Sequence, residues 1–188
     1  MAPRIFVTGA ADGVGAAVVR HFAQRGWLVG AYDSREPDYS ERAPELVGLT
    51  TIFPGQLDVT GAAEWGSALS EFAWRSNGPV NAVANCAGLL IDDPWAQAGR
   101  EQLELLVHAH STGLILGARA AASYLADSGG QLINVFTVTA DEARHVGGRL
   151  DAIQSTVRSL TDKQRAECRG QGAHGVRIVD FVPVCVLP

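Results

Sequence analysis

Cysteine, lysine and tyrosine are all scarce in this 188-residue chain, and each scarcity closes off a class of answer. The three cysteines, Cys86, Cys168 and Cys185, are odd in number and widely spaced, which fits neither a disulfide framework nor the paired spacing of a zinc site, so no metal site is expected. Lys163 is the only lysine; the other fourteen basic residues are arginines. Fifteen Lys and Arg against twenty Asp and Glu leave a net charge of −5. That sign repels phosphate backbones and anionic lipid, so neither nucleic acid nor a membrane surface is the expected partner. No apolar run reaches the ~18 residues of a membrane span. The longest candidate, residues 114–125, is broken by Arg119. Residues 1–4 lead straight into the apolar Ile5-Phe6-Val7 without the basic, apolar and cleavage regions of a signal peptide. A soluble, cytoplasmic chain is expected.

What the chain does have is apolar mass in a regular order. Hydrophobic residues make up 47% and charged residues 19%, enough for one packed domain over residues 1–188. Short apolar runs alternate with longer, Ala-rich stretches of helical period. Residues 5–7 read as a strand and 14–25 as a helix, in which Val14, Val18 and Phe22 recur one turn apart and Gly26 supplies the stop. Further strands are expected at 28–32, 49–53, 80–84, 131–136 and 176–182, and helices at 62–75, 100–126 and 150–168. Residues 34–48, rich in Pro, Ser and Glu, read as a loop or a short helix. Strands alternating with crossover helices predict an α/β fold, a doubly wound parallel sheet of about six strands with helices on both faces.

The junction between the first strand and the first helix reads Thr8-Gly9-Ala10-Ala11-Asp12-Gly13-Val14-Gly15. Glycine chemistry gives this turn a function. Gly9 permits a tight bend, Gly13 leaves no side chain between backbone and a pyrophosphate, and Gly15 allows close packing of helix on sheet. With Asp12 and Val14 they form a cradle at a helix N-terminus, whose free N–H groups and positive dipole end suit phosphate. Asp33 stands eighteen residues after Gly15, where a carboxylate accepts from the ribose hydroxyls of a dinucleotide. Such a carboxylate favours NAD over NADP, a preference that Arg35, two residues on, softens. The sheet is therefore expected to be of the Rossmann type.

Together these residues carry a resemblance. Thr8-Gly9-x3-Gly13-x-Gly15, Asp58-Val59 after the third strand, Asn85-Cys86-Ala87-Gly88 after the fourth and the run from Gly130 to Thr137 resemble the short-chain dehydrogenase/reductase superfamily, in order and along essentially the whole chain. The resemblance implies that Asp58 and Val59 lie at the adenine, and that Asn85, Ala87 and Gly88 lie on the central strand beside the nicotinamide half. Cys86 replaces the family's usual second Asn; as a small sulfur beside a glycine pair it reads as packing rather than chemistry.

The resemblance also implies a catalytic tetrad of Asn, Ser, Tyr and Lys, and here the chain departs from it. The Ser position falls at Thr137, which keeps a hydroxyl, and the Asn position falls at His110. Thirteen residues after Thr137, where the family has its proton-donating Tyr, stands Leu150; four further, where it has Lys, stands Gln154. No Tyr-x3-Lys exists anywhere, because Tyr32, Tyr39 and Tyr124 all precede the fifth strand and none neighbours Lys163. Removing a placed general acid costs ~10²–10⁴ in rate. Losing a charged hydrogen bond to the ribose costs roughly 10- to 100-fold in cofactor affinity. The family's Pro-Gly after the sixth strand reads Pro183-Val184, and the sequence ends without the usual substrate-covering segment. That arrangement would leave the sixth strand as an exposed edge, which invites a homo-oligomer through that edge or through the Leu/Ala-rich long helices.

Two functions follow as expectations. One is a nicotinamide-dinucleotide-binding relative of an oxidoreductase whose standard hydride transfer is lost or strongly impaired, serving as a sensor, a scaffold or a partner subunit. The other is an enzyme for a small-molecule substrate with relocated chemistry, in which His110 or His145 supplies the proton and Thr137 orients the substrate, redox or not (a cyclisation, dehydration or isomerisation). His145, Asp141 and Glu142 fall in the loop where a substrate would rest, and Asp93 and Trp95 in the loop after the fourth strand. His108, two residues from His110, points off its face and reads as structural.

Overall fold

Strand β1 (Arg4–Thr8) sends alternate side chains into two separate cores, and that alternation sets the layers. Phe6 joins a cluster with Tyr32, Trp65, Leu69, Phe72, Val83 and Leu132. Ile5 and Val7 join Val19, Val29 and Ala31 on the other face. Helix α1 (Gly13–Ala23) covers the second core with Val19 and Ala23, and α2 (Ala62–Arg75) covers the first with Trp65, Leu69 and Phe72. All five residues of β1 are buried, so this strand is covered on both faces, as the inner strand of a parallel sheet has to be. The computed structural model describes residues 1–41, 43–88, 99–126, 128–135, 138–139, 155, 158–159, 161–166, 176–181 and 184–185.

After β1 and α1 come β2 (Leu28–Asp33), β3 (Ile52–Gln56), α2, β4 (Ala82–Asn85), α3 (Arg100–Val107), α4 (Gly113–Ala126), β5 (Gln131–Val135), β6 (Val138–Thr139), β7 (Arg177–Phe181) and β8 (Val184–Cys185). Six strands form one sheet in the order β3-β2-β1-β4-β5-β7, every pair parallel. This is the doubly wound, Rossmann-type order expected from the sequence. Thr8 is paired with Tyr32 on one side and Asn85 on the other. The chain thus winds outward from β1 to β3, then returns to β4 on the opposite flank of β1. β6 and β8 form a small parallel pair that the sequence pattern did not suggest.

Two elements differ from expectation. The third strand begins three residues late, at Ile52, and runs through Pro54 and Gly55. The proline is tolerated because β3 borders the sheet, and Gly55 is required because a Cβ there would come within 2.3 Å of the Tyr32 ring. Residues 34–48, read as a loop or a short helix, are irregular with a 3-10 turn at Pro44–Leu46, and they bury Tyr39, Ala43 and Leu46 against α1 and β2. The long helix expected over 100–126 is interrupted by a π-helical turn, His108–Thr112, between α3 and α4.

Arg4 is the least expected core residue. It is 5% exposed, and its guanidinium donates to the carbonyls of Ser76 (3.1 and 2.8 Å), Asn77 (2.8 Å) and Ala2 (3.0 Å). The cation thereby satisfies the carbonyls just past the C-terminal end of α2, where the helix dipole favours positive charge. Gly78 makes room for it, since a Cβ there would meet the guanidinium at 2.5 Å.

Two stability predictions follow. Arg4→Met keeps the stem but orphans these carbonyls, and should lower the unfolding free energy by about 3 kcal/mol in urea titrations. Burial, then the charge of Glu71, pushes the Tyr32 phenol up to about 12 from 10.0; burial, then Asp33, raises that of Tyr39 as well. Both phenols stay neutral in the fold while the unfolded chain ionises first. Their contribution is therefore complete below pH 10 and is lost as pH climbs from 10.0 towards about 12. Urea midpoints should hold up to pH 10 and fall above it, with phenolate absorbance appearing together with unfolding.

Candidate functional site

The motifs that the sequence singles out converge at one edge of the sheet. β1 runs into the glycine turn, β2 ends at Asp33, β3 leads to Asp58 and β4 leads to Asn85-Cys86-Ala87-Gly88. All of these lie at the carboxyl ends of parallel strands, beside the point between β1 and β4 where the winding reverses. Open α/β sheets bind ligands in that crevice.

The turn itself is held by contacts between backbones. Gly9 has φ +64°, and a Cβ on it would lie 2.7 Å from Ala87 N and Cα. Thr8 Oγ1 accepts from the backbone N–H groups of both Cys86 and Ala87 at 3.2 Å, which ties the end of β1 to the segment after β4. Gly15 packs on the Gly9 carbonyl so closely that a Cβ there would overlap it. Gly13, with φ +51°, is different: among the described residues, nothing lies within 4 Å of where its Cβ would point. Asp12 caps α1 without a side-chain bond to it, and the first turn of α1 holds no acidic residue. The first-turn N–H groups have no intrahelical acceptor, so among the described residues the cradle around Gly13 is open and positively polarised.

Two carboxylates flank it. Asp33 Oδ2 accepts from Ala11 N at 3.0 Å, and Oδ1 from Ser34 N at 2.7 Å and Ser34 Oγ at 3.2 Å. Asp58 is exposed; its Oδ1 accepts from Thr60 N at 2.9 Å and Thr60 Oγ1 at 2.7 Å, while Glu64 Oε2 accepts from Asp58 N. The next residue, Val59, packs on Gly113 of α4, and its carbonyl accepts from Trp65 Nε1 at 2.9 Å.

Between these groups and α4 lies a cleft lined by Thr8, Val59, Asn85, Ala87, His110 and Leu114, among others. His110 sits in the π-helical turn, half-buried, with its ring over Gly88; a Cβ on Gly88 would meet His110 Nε2 at 2.7 Å. π turns concentrate at functional sites because the extra residue re-aims a side chain. His108 is exposed, within 3.3 Å of Thr112 Oγ1, as its offset from His110 predicts.

Asn85 has a structural task. It is 6% exposed, and its Nδ2 donates to Asn134 Oδ1 at 3.1 Å, while Asn134 Nδ2 donates to Thr161 Oγ1 at 3.2 Å. This buried file joins β4, β5 and the helical residues 161–166. Burial pushes the Cys86 thiol up to about 12, so it stays neutral and serves as packing. Sequence reasoning put Trp65 on the buried face of its helix but not at the wall of the cleft, and it gave Asn134 no role. It also missed Tyr39, whose hydroxyl donates to Ala10 O at 2.9 Å; a tyrosine in an irregular segment gives no periodic signal. Thr137, Leu150, Gln154, His145, Asp141, Glu142, Asp93 and Trp95 lie outside the described residues.

Known proteins share both the pattern and the fold. A 3-beta-hydroxysteroid dehydrogenase of Comamonas testosteroni is 27% identical over 177 residues, covering 94% of this chain and 68% of that enzyme. A diacetyl reductase, (S)-acetoin forming, of Staphylococcus epidermidis is 26% identical over 181 residues, covering 92% and 68%. The fold is shared with an alcohol dehydrogenase from the archaeon Thermococcus sibiricus, solved with 5-hydroxy-NADP, at a TM-score of 0.79 and 21% identity over 99% of this chain and 77% of that one. The pattern of the short chain dehydrogenase family matches residues 3–187. With the glycine turn, the two carboxylates and the segment after β4 all in place at the switch point, the chain belongs to the short chain dehydrogenase family.

Proposed function

We propose that this chain binds a nicotinamide dinucleotide, NAD in preference to NADP, and that it performs the family's carbonyl–alcohol hydride transfer poorly or not at all. The observation that carries the first half is the Asp33 carboxylate, fixed beside an unobstructed Gly13 cradle by the Ala11 N–H. The residues present fit the cofactor. Gly13, Val14 and Gly15 would receive the pyrophosphate, Asp33 the adenosine ribose hydroxyls, and Asp58 and Val59 the adenine, with Ala87 and Gly88 along the remaining length. A 2′-phosphate would meet the charge of Asp33. When bound, the nicotinamide supplies hydride chemistry; the protein's share is to orient it and to move a proton.

The second half rests on positions 150 and 154, where Leu and Gln replace the proton donor and its cationic partner. Leucine cannot protonate an alkoxide, and glutamine brings no charge to depress a neighbour's pKa. A sensor of cofactor level, a scaffold or a partner subunit agrees with such a site. Leu105 and Val107 of α3 and Val179 of β7 are exposed apolar residues that suit a homo-oligomer.

The position of His110 favours a second reading. Its imidazole lines the cleft, where it could supply a proton while Thr137 orients a substrate oxygen, in a reaction with or without the dinucleotide.

Fluorescence titration separates these readings. NADH should bind about tenfold more tightly than NADPH, one 1.4 kcal/mol step. Turnover on small ketones and alcohols should stay ~10²–10⁴ below ordinary dehydrogenase rates; ordinary rates would overturn the proposal. Gly13→Val, which puts a branched side chain into the cradle and strains a positive φ, should weaken NADH binding by about tenfold or more. Turnover that needs no nicotinamide and vanishes in His110→Ala would establish the second reading instead.

A further inference from the structure

One peptide unit in the glycine turn is gripped at both ends, by a side chain at the end of β2 and by one in the segment after it. The unit joins Ala10 to Ala11. Its carbonyl oxygen accepts from the Tyr39 hydroxyl at 2.9 Å in a buried contact, and its N–H donates to Asp33 Oδ2 at 3.0 Å. On the near side, Ala10 N donates to the Tyr32 carbonyl at 3.1 Å. The direction of this peptide decides what the turn presents. Rotated by half a turn, it would aim the Ala10 carbonyl at the Asp33 carboxylate and take away the backbone donor to Oδ2, leaving only that of Ser34 on Oδ1. Two negative oxygens would then face each other where a ribose has to sit.

Tyr39 prevents that rotation by holding the carbonyl on the opposite side. It is itself well anchored. Only 6% of it is exposed, and it packs with Ala43 and Leu46 around the 3-10 turn. Glu45 in that turn pairs with Arg20 of α1 at 2.5 Å. The irregular segment after β2 therefore works as a brace on the glycine turn.

We infer that Tyr39 is a positioning residue for the adenosine-ribose carboxylate: by holding the Ala10 carbonyl it fixes the Ala10–Ala11 peptide, and through the Ala11 N–H it fixes Asp33. The ligand half of this inference rests on the dinucleotide reading above; the peptide lock does not. Because Asp33 is the group that distinguishes a ribose diol from a ribose phosphate, Tyr39 also sets the preference between NAD and NADP.

Tyr39→Phe keeps the ring and its packing and removes only the hydroxyl. The NADH Kd should rise about three- to tenfold, as expected for one lost hydrogen bond, and the NADPH Kd by less than about twofold, so that the preference narrows. Loss of stability alone would weaken both cofactors equally. Amide exchange followed by NMR gives a readout independent of ligand. Exchange at Ala11 should quicken by about tenfold in Tyr39→Phe, with Leu132 in β5 unchanged. In the wild-type chain the Tyr39 hydroxyl proton should exchange slowly enough to be seen, with a nuclear Overhauser contact to the Ala11 amide. An absent hydroxyl signal, or unchanged Ala11 exchange in Tyr39→Phe, would overturn the inference whatever the cofactor does. Faster Ala11 exchange with an unchanged NADH Kd would overturn the positioning role. A wild-type chain that binds neither NADH nor ADP-ribose would defeat the dinucleotide reading and the ligand half with it, while faster Ala11 exchange would still support the peptide lock.

Discussion

Backbone against backbone, with no side chain between, is the contact on which the site depends. Gly9 lies directly on the Cys86–Ala87 segment, and Gly15 lies directly on Gly9. Any Cβ at either position would push β1, α1 and the end of β4 apart. Thr8 reinforces the join with two hydrogen bonds to the same segment. Because β1 and β4 are neighbours at the reversal of the winding, closing this gap brings four separate stretches of chain to one crevice. Asp33 is then in place because β2 lies in register with β1, and Asp58 follows β3, which lies in register with β2.

Much of this was legible in the sequence because it is periodic or carried by glycine. Helix α2 was read with its observed bounds, since Trp65, Leu69 and Phe72 repeat at helical spacing and mark one buried face. β1, β2, β5 and β7 were found as short apolar runs, and Asp33 was placed correctly at the end of β2. The packing of the glycine turn was legible too: Gly9 and Gly15 are tightly packed and Gly13 is open among the described residues.

What was missed breaks a local rule for a tertiary reason. β3 contains Pro54 and Gly55, which argue against a strand until the border position and the Tyr32 ring are known. Arg4 resembles a surface residue at the start of a strand; only the carbonyls beyond α2, more than seventy positions away, make its burial favourable. The Asn85–Asn134–Thr161 file involves residue types that are usually exposed, and nothing in their spacing announces that they meet. Tyr39 fell in a stretch without periodicity, so its grip on the glycine turn could not be read from pattern. In each case the deciding partner is distant in sequence.

The π turn at His108–Thr112 accommodates one residue more than a regular helix would. Each residue in an α-helix advances the side-chain direction by about 100°. The insertion is therefore a phase offset: α3 is rotated relative to α4 by nearly a third of a revolution, and this offset governs the separate bearings of Leu105 and Val107. Excision of a single residue from the turn would make the helix continuous, swing those apolar groups to a different bearing, and carry the imidazole away from Gly88. One surplus residue thus sets both what the cleft contains and what the outer flank of the helix displays.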